Sequence, residues 1–218
     1  MTPRFALPPL YAIVNVRVDA RSDASGEIRR AFHLAVVLAE AGASVLQLRA
    51  KTLAPGVMTE LALRIREAIS PCGGVLLVND RADVAAVSGA TGVHLGDEDG
   101  PVQIARACLG DEAIVGLSTH SLADVSRAAE LPVDYIGFGP LFESPTKAGV
   151  RSARGIEALA EACRASPRPV VAIGGVTLDT APSLWRAGAA SVAVISEIER
   201  AADPGDLVRR YLRAAKEK

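Results

Sequence analysis

Short apolar runs rich in β-branched residues alternate with longer stretches whose apolar positions recur every three or four residues, from one end of the chain to the other. The short runs lie at 10–14, 44–48, 74–78, 92–95, 114–117, 134–138, 169–173 and 191–195. Brief runs of this kind, bounded by Gly, Pro or Asp, predict strands buried on both faces, as in a parallel sheet covered by helices. The longer stretches predict helices over 27–41, 58–69, 102–109, 122–130, 156–165, 178–187 and 204–216, with a shorter one over 82–88. Ala31, Leu34, Ala35 and Leu38 draw one apolar stripe along the first of them. Gly42, Gly89, Gly110 and Gly188 stand just past helix ends, where a left-handed residue closes the last turn. Small residues at 41–43, 89–92 and 187–190 let helix ends approach the next strand; they form a structural joint, not a sequence repeat.

Eight strand-then-helix units in 218 residues leave about 27 residues per unit, compact but sufficient for a barrel. A doubly wound open sheet has the same alternation. The first turn, after Val14, lacks the glycine-rich dinucleotide fingerprint, which favours the barrel. The expected fold is α/β, a single-domain (β/α)8 TIM barrel over residues 1–218. Half of the residues are hydrophobic, enough for one sizeable core, and the length is too small for two ordinary domains with a linker.

Charge narrows the partners. With 24 basic and 25 acidic side chains the net charge is −1, which gives no field to attract nucleic acid or an anionic membrane. Any anionic small molecule must be held by local donors. No apolar run reaches the length of a membrane span, and residues 1–9 fall short of a secretory signal. Cys72, Cys108 and Cys163 are odd in number and widely spaced, which fits neither a disulfide framework nor a zinc pattern. They are expected to be reduced and mostly buried thiols of a cytoplasmic protein.

In barrels of this kind the reacting groups sit at the C-terminal ends of the strands and on the loops that follow. Polar residues gather there. On the second strand Gln47, Arg49 and Lys51 share one face and Leu46, Leu48 and Ala50 the other. Helices cover the apolar face, so an amide and two cations aim at the barrel mouth. The third strand ends in Asn79 and Asp80, an Asx pair that also suits a helix N-cap. The fourth leads into Asp97, Glu98 and Asp99. Neighbouring strands would let Asp80 and Asp99 present two carboxylates to one divalent ion, and hard oxygen ligands with substrate phosphates suit magnesium. His94 is expected to be a hydrogen-bonded core residue, and His33, within a helix, has no assigned role.

After the fifth strand come Ser118, His120 and Ser121. Ser121 fits a helix N-cap, whereas His120 is open to either a structural or an acid–base or phosphate-contact role. The long loop after the sixth strand carries Ser144, Thr146, Lys147 and Gly149, and reads as a mobile phosphate clamp. The seventh strand ends in Gly174 and Gly175, whose backbone N–H groups can approach an anion closely, and the eighth ends in Ile195 and Ser196. Loops after strands seven and eight form the common phosphate site of TIM barrels.

These motifs, in this order, resemble the signatures of the thiamine phosphate synthase family: Gln47–Arg49–Lys51, Asn79–Asp80, His94 through Glu98–Asp99, Gly116–Ser118, Gly139–Pro140 through Thr146–Lys147, Gly174–Gly175 and Ile195–Ser196. The resemblance spans nearly the whole chain. It implies a transferase of thiamine biosynthesis that joins a hydroxymethylpyrimidine diphosphate to a thiazole phosphate and releases pyrophosphate. By that resemblance Gln47, Arg49, Lys51, Asn79 and Lys147 hold the pyrimidine diphosphate, and Asp80 and Asp99 hold one Mg2+. Ser118 contacts the pyrimidine or the departing diphosphate, while Ser144, Thr146, Gly175, Ile195 and Ser196 receive the thiazole phosphate. Arg49, Lys51, Ser118 and Lys147 are the catalytic candidates. The chain departs from the family at Ala50, Asp97, Glu143 and Ser144, and its first strand ends in Asn15 without the expected nearby aspartate.

Two other readings share the fold. A thiazole tautomerase would use His120 as its acid–base residue, with Asn79–Asp80–Arg81 and Phe142–Glu143 as further likenesses. A non-catalytic phosphate-binding barrel would bind without turnover. Partners are small molecules in every case, and a homo-oligomer is compatible with all three.

Overall fold

The computed structural model describes residues 6–18, 23–96, 99–143 and 153–217. Strands β1 (Leu10–Asn15), β2 (Val45–Arg49), β3 (Val75–Asn79), β4 (Gly92–Leu95), β5 (Ile114–Thr119), β6 (Tyr135–Phe138), β7 (Val170–Ala172) and β8 (Ser191–Val194) alternate with helices. These are α1 (Ala24–Glu40), α2 (Pro55–Ile69), α3 (Ala82–Ser88), α4 (Val102–Leu109), α5 (Leu122–Ala129), α6 (Gly155–Ala165) and α7 (Ala181–Arg186), with α8 (Ser196–Arg200) and α9 (Pro204–Ala214) after the last strand. Each strand lies parallel to the next, and β8 pairs with β1 to close the barrel.

Strand parity builds two cores. Leu10, Ala12 and Val14 of β1 face the helices and join the large outer core, as do Leu46, Leu48 and Ala50. Tyr11 and Ile13 face inward with Val45, Leu77, Ile114, Tyr135, Val171 and Ala193, filling the barrel. The inward line of β2 continues from Val45 through Gln47 to Arg49, so the packed interior gives way to polar groups toward the C-terminal rim.

Capping follows local chemistry. The Ser121 hydroxyl accepts from the Asp124 N–H at 3.2 Å, as expected of an N-cap. Asp203 does the same for α9, accepting from Asp206 N at 2.8 Å beside Pro204 in the first turn. Helix α7 begins at Ala181 rather than 178, because the Thr180 hydroxyl accepts from the Thr177 N–H at 3.0 Å and turns the chain there. The short α8 was not expected from the sequence. Its five residues are too few to display a helical period.

The cysteines need correction. Cys72 and Cys108 are exposed and Cys163 is only half-buried. Cys72 ends a single 3-10 turn and Cys108 lies in α4, where only Val102 and Ala105 are buried. Among the described residues no helix is long and apolar enough to cross a membrane.

Candidate active site

The C-terminal rim of the barrel encloses a cavity of about 250 Å³. Gln47, Arg49, Asn79, Ser118, Gly175, Ile195 and Ser196, all singled out from the sequence, line this one space. His94, His120, Tyr11 and the apolar Ile13, Val171 and Ile173 line it with them.

Its floor is a chain of buried polar side chains. Gln47 Nε2 donates to the Tyr11 hydroxyl at 2.8 Å, and Tyr11 and Tyr135 share a hydrogen bond of 2.8 Å. The Tyr135 hydroxyl lies 2.9 Å from His94 Nδ1, and His94 Nε2 lies 2.9 Å from Ser118 Oγ. His94 is thus the hydrogen-bonded core residue expected of it, and it also borders the cavity. Burial raises both phenols above their ordinary pKa, so each keeps its proton.

Arg49 brings the charge on one wall; Lys51, Asp80 and Asp99, also singled out from the sequence, are not among the described lining residues. Arg49 Nη1 donates to Asn15 Oδ1 at 2.7 Å, and Asn15 Nδ2 donates to Glu199 Oε1 of α8 at 2.9 Å. Burial lowers the Arg49 pKa, with the Asp80 charge acting against it, but a guanidinium starts so high that it stays charged. Lys51 Nζ lies 3.1 Å from Asp80 Oδ2. Asp80 is the one described non-glycine residue with positive φ, at 67°. Its N–H donates to the His94 carbonyl at 2.8 Å, which holds this uncommon conformation and aims the carboxyl. It is not a helix cap: α3 begins after Arg81, with no side-chain cap bond.

Asp99 Oδ2 accepts from Gly96 N at 2.7 Å, and the Asp99 carboxyl is near enough to Asp80 to raise its pKa. Burial, reinforced by Asp99, pushes the Asp80 pKa up to about 6 against the pull of Lys51. Neighbouring carboxyls are stabilised by a shared proton or by a cation between them. That donor set fits a hard divalent ion completed by phosphate oxygens and water. Among the described residues no third His, Cys, Asp or Glu joins them. Asp97 and Glu98 lie outside the described residues, as do Ser144, Thr146, Lys147 and Gly149 of the proposed clamp loop.

The opposite wall is backbone. Gly174 and Gly175 take φ of 87° and 68°. A Cβ on Gly175 would come within 2.7 Å of Phe142 Cβ and 2.8 Å of the Glu143 carbonyl, so this turn needs glycine twice over. Gly175→Ala should cost about 1–3 kcal/mol, a melting-temperature loss of several degrees by circular dichroism; an unchanged melting temperature would contradict the packing. Beside this turn Glu197 accepts from Leu178 N at 3.0 Å and from the Tyr211 hydroxyl, tying the loop after β7 to α8 and α9.

His120 is buried, with Nδ1 donating to the Gly139 carbonyl at 2.5 Å and its N–H held by Asp124 at 2.9 Å. Sequence reasoning missed Tyr11, Tyr135, the bridging role of Asn15, and Arg200, which also lines the cavity. Inward parity on β1 was the only signal for Tyr11.

The thiamine monophosphate synthase family model matches residues 10–198. The thiamine-phosphate synthase of Anaeromyxobacter dehalogenans is 47% identical over 75% of this chain and 73% of its own. That of Agrobacterium fabrum is 43% identical over 87% of this chain and 89% of its own. The solved structure of thiamine phosphate pyrophosphorylase from Pyrococcus furiosus superposes with a TM-score of 0.81 at 28% identity, covering 96% of each chain. A match across residues 10–198 and identities above 40% over three quarters or more of the chain establish that this protein belongs to the thiamine monophosphate synthase family.

Proposed function

We propose that the barrel joins a hydroxymethylpyrimidine diphosphate to a thiazole phosphate, forming thiamine phosphate and releasing pyrophosphate. The observation that carries this reading is one cavity with two anion-binding ends. Arg49 lines one part of it, within electrostatic reach of Asp80 and its Lys51 partner, and Gly174, Gly175, Ile195 and Ser196 line another. Family membership and the names of the relatives support it.

In the reaction the bond between the pyrimidine methylene and its diphosphate oxygen breaks, and the electron pair leaves with pyrophosphate. The remaining cation is stabilised by the aminopyrimidine ring. The thiazole nitrogen then donates its lone pair to form the new C–N bond. Little acid–base machinery is needed. Arg49 and Lys51 would neutralise charge growing on the leaving group, and Ser118 would add a hydrogen bond. When bound at Asp80 and Asp99, Mg2+ would supply Lewis-acid stabilisation of the pyrophosphate. Ile13, Val171, Ile173 and Val176 give the cavity an apolar lining that keeps water from the cation. Lys147, Ser144 and Thr146, outside the described residues, would add donors to the phosphates. The enzyme is read as cytoplasmic.

One observation favours the tautomerase as a second reading. His120 borders the cavity and spends Nδ1 on a carbonyl, so Nε2 is its basic nitrogen. Purified protein given both substrates separates the readings. Pyrophosphate release with Mg2+, abolished by EDTA and matched by thiamine phosphate, is the expected result. No release from folded protein would overturn it in favour of the tautomerase or a binding protein.

A further inference from the structure

The buried chain from Gln47 to Ser118 has a direction. An amide nitrogen carries hydrogens and accepts nothing, so Gln47 Nε2 donates and Tyr11 accepts. The Tyr11 proton then has the Tyr135 oxygen, 2.8 Å away, as its acceptor. Tyr135 in turn donates to His94 Nδ1 at 2.9 Å. A ring that accepts at Nδ1 is neutral with its hydrogen on Nε2, and that N–H donates to Ser118 Oγ at 2.9 Å. Ser118 is left with its own hydroxyl proton to turn toward the cavity it lines. Running the chain backward would set the Gln47 amide hydrogens against the Tyr11 proton, leaving a buried donor unsatisfied. Both phenols stay protonated because burial opposes their ionisation, so neither tyrosine link breaks by titration near neutral pH.

The surroundings are shaped for this chain. The Tyr135 ring stacks on His94 at 5.5 Å between centroids. A Cβ on Gly116 would fall inside that same Tyr135 ring, which gives a physical reason for glycine two residues before Ser118. The five links come from β1, β2, β4, β5 and β6, so they meet only in the closed barrel.

We propose that Gln47, Tyr11, Tyr135 and His94 form a one-way hydrogen-bond chain that holds Ser118 as a hydrogen-bond donor to an acceptor atom of the pyrimidine diphosphate. Tyr11, Tyr135 and His94 are positioning residues that act through Ser118. The proposal rests on the reading of the cavity as the synthase's substrate site.

The test begins with the full chain labelled at histidine nitrogen. Of its three histidines, His94 is identified as the signal lost in His94→Gln. Long-range nitrogen–proton correlations should report a neutral Nε2–H tautomer for His94 at pH 7. An Nδ1–H tautomer or an imidazolium in the ligand-free wild type would overturn the chain without reference to any variant. Tyr135→Phe, nearly isosteric, should replace the single tautomer by a mixture; a pure Nε2–H signal would also overturn it. In turnover, Tyr135→Phe should lower kcat about tenfold with KM within about twofold, the size of one lost hydrogen bond. Ser118→Ala should do at least as much, and the double variant should be no slower than Ser118→Ala alone. Multiplying effects would show that Tyr135 does not act through Ser118. If the wild type makes no thiamine phosphate, the synthase reading fails while the tautomer measurement still decides the chain.

Discussion

Asp80→Asn and Asp99→Ala should each cut Mg2+-dependent pyrophosphate release by about 100-fold or more while leaving the melting curve near that of the parent. The size follows from losing a few kcal/mol of charge stabilisation on the leaving group. Asparagine is the better replacement at position 80, because φ of 67° there suits Asn and strains alanine. The same pair predicts a pH dependence. The Asp80 pKa rises from near 4 to about 6 through burial and its Asp99 neighbour. Without metal, the folded chain then holds a proton that the unfolded chain has lost between these values. Stability of the metal-free protein therefore falls as pH rises through that window, and the added stability is complete only below it. Metal must displace this proton, so the Mg2+ concentration for half-maximal release should rise about fivefold from pH 6 to pH 5. Full activity in either variant, or a flat metal requirement across that range, would remove the metal assignment.

Arg49→Ala carries the second large effect. It should lower kcat/KM for pyrophosphate release by about 100- to 1000-fold, the usual loss for a preorganised donor on a developing anion. Arg49→Lys should recover only part of this. A lysine keeps the charge but has no planar fork to serve both Asn15 and a diphosphate oxygen. Removing the side chain also leaves the fully buried Asn15 amide oxygen without its donor, a cost of about 1–3 kcal/mol. Steady-state assays and thermal melts check the two parts separately. Activity within a few-fold of the parent in Arg49→Ala would show that the diphosphate binds elsewhere.

The strand pattern was legible because parity and turn chemistry are local. Gln47 and Arg49 alternate with Leu46 and Leu48 on β2, and that alone aimed them inward once helices were expected outside. Gly174 and Gly175 marked a backbone turn, and Ser121 marked a cap, from residue chemistry within a few positions. The eight short strands were found within one or two residues of their ends, since each is bounded by Gly, Pro or a polar residue.

Tertiary contacts decided the rest. Tyr11 and Tyr135 lie 124 residues apart, and only the closed order of strands brings their hydroxyls together. The left-handed backbone of Asp80 is held by the His94 carbonyl of the neighbouring strand, which no local propensity announces. Asn15 joins Arg49 to Glu199, 184 residues beyond it, because β8 pairs with β1 and delivers α8 beside that pairing. By itself the sequence determined which residues face inward and where the chain turns, since side-chain period and backbone conformation act over a few residues. Which inward residues touch was decided by register and barrel closure, whose energies belong to contacts between distant segments.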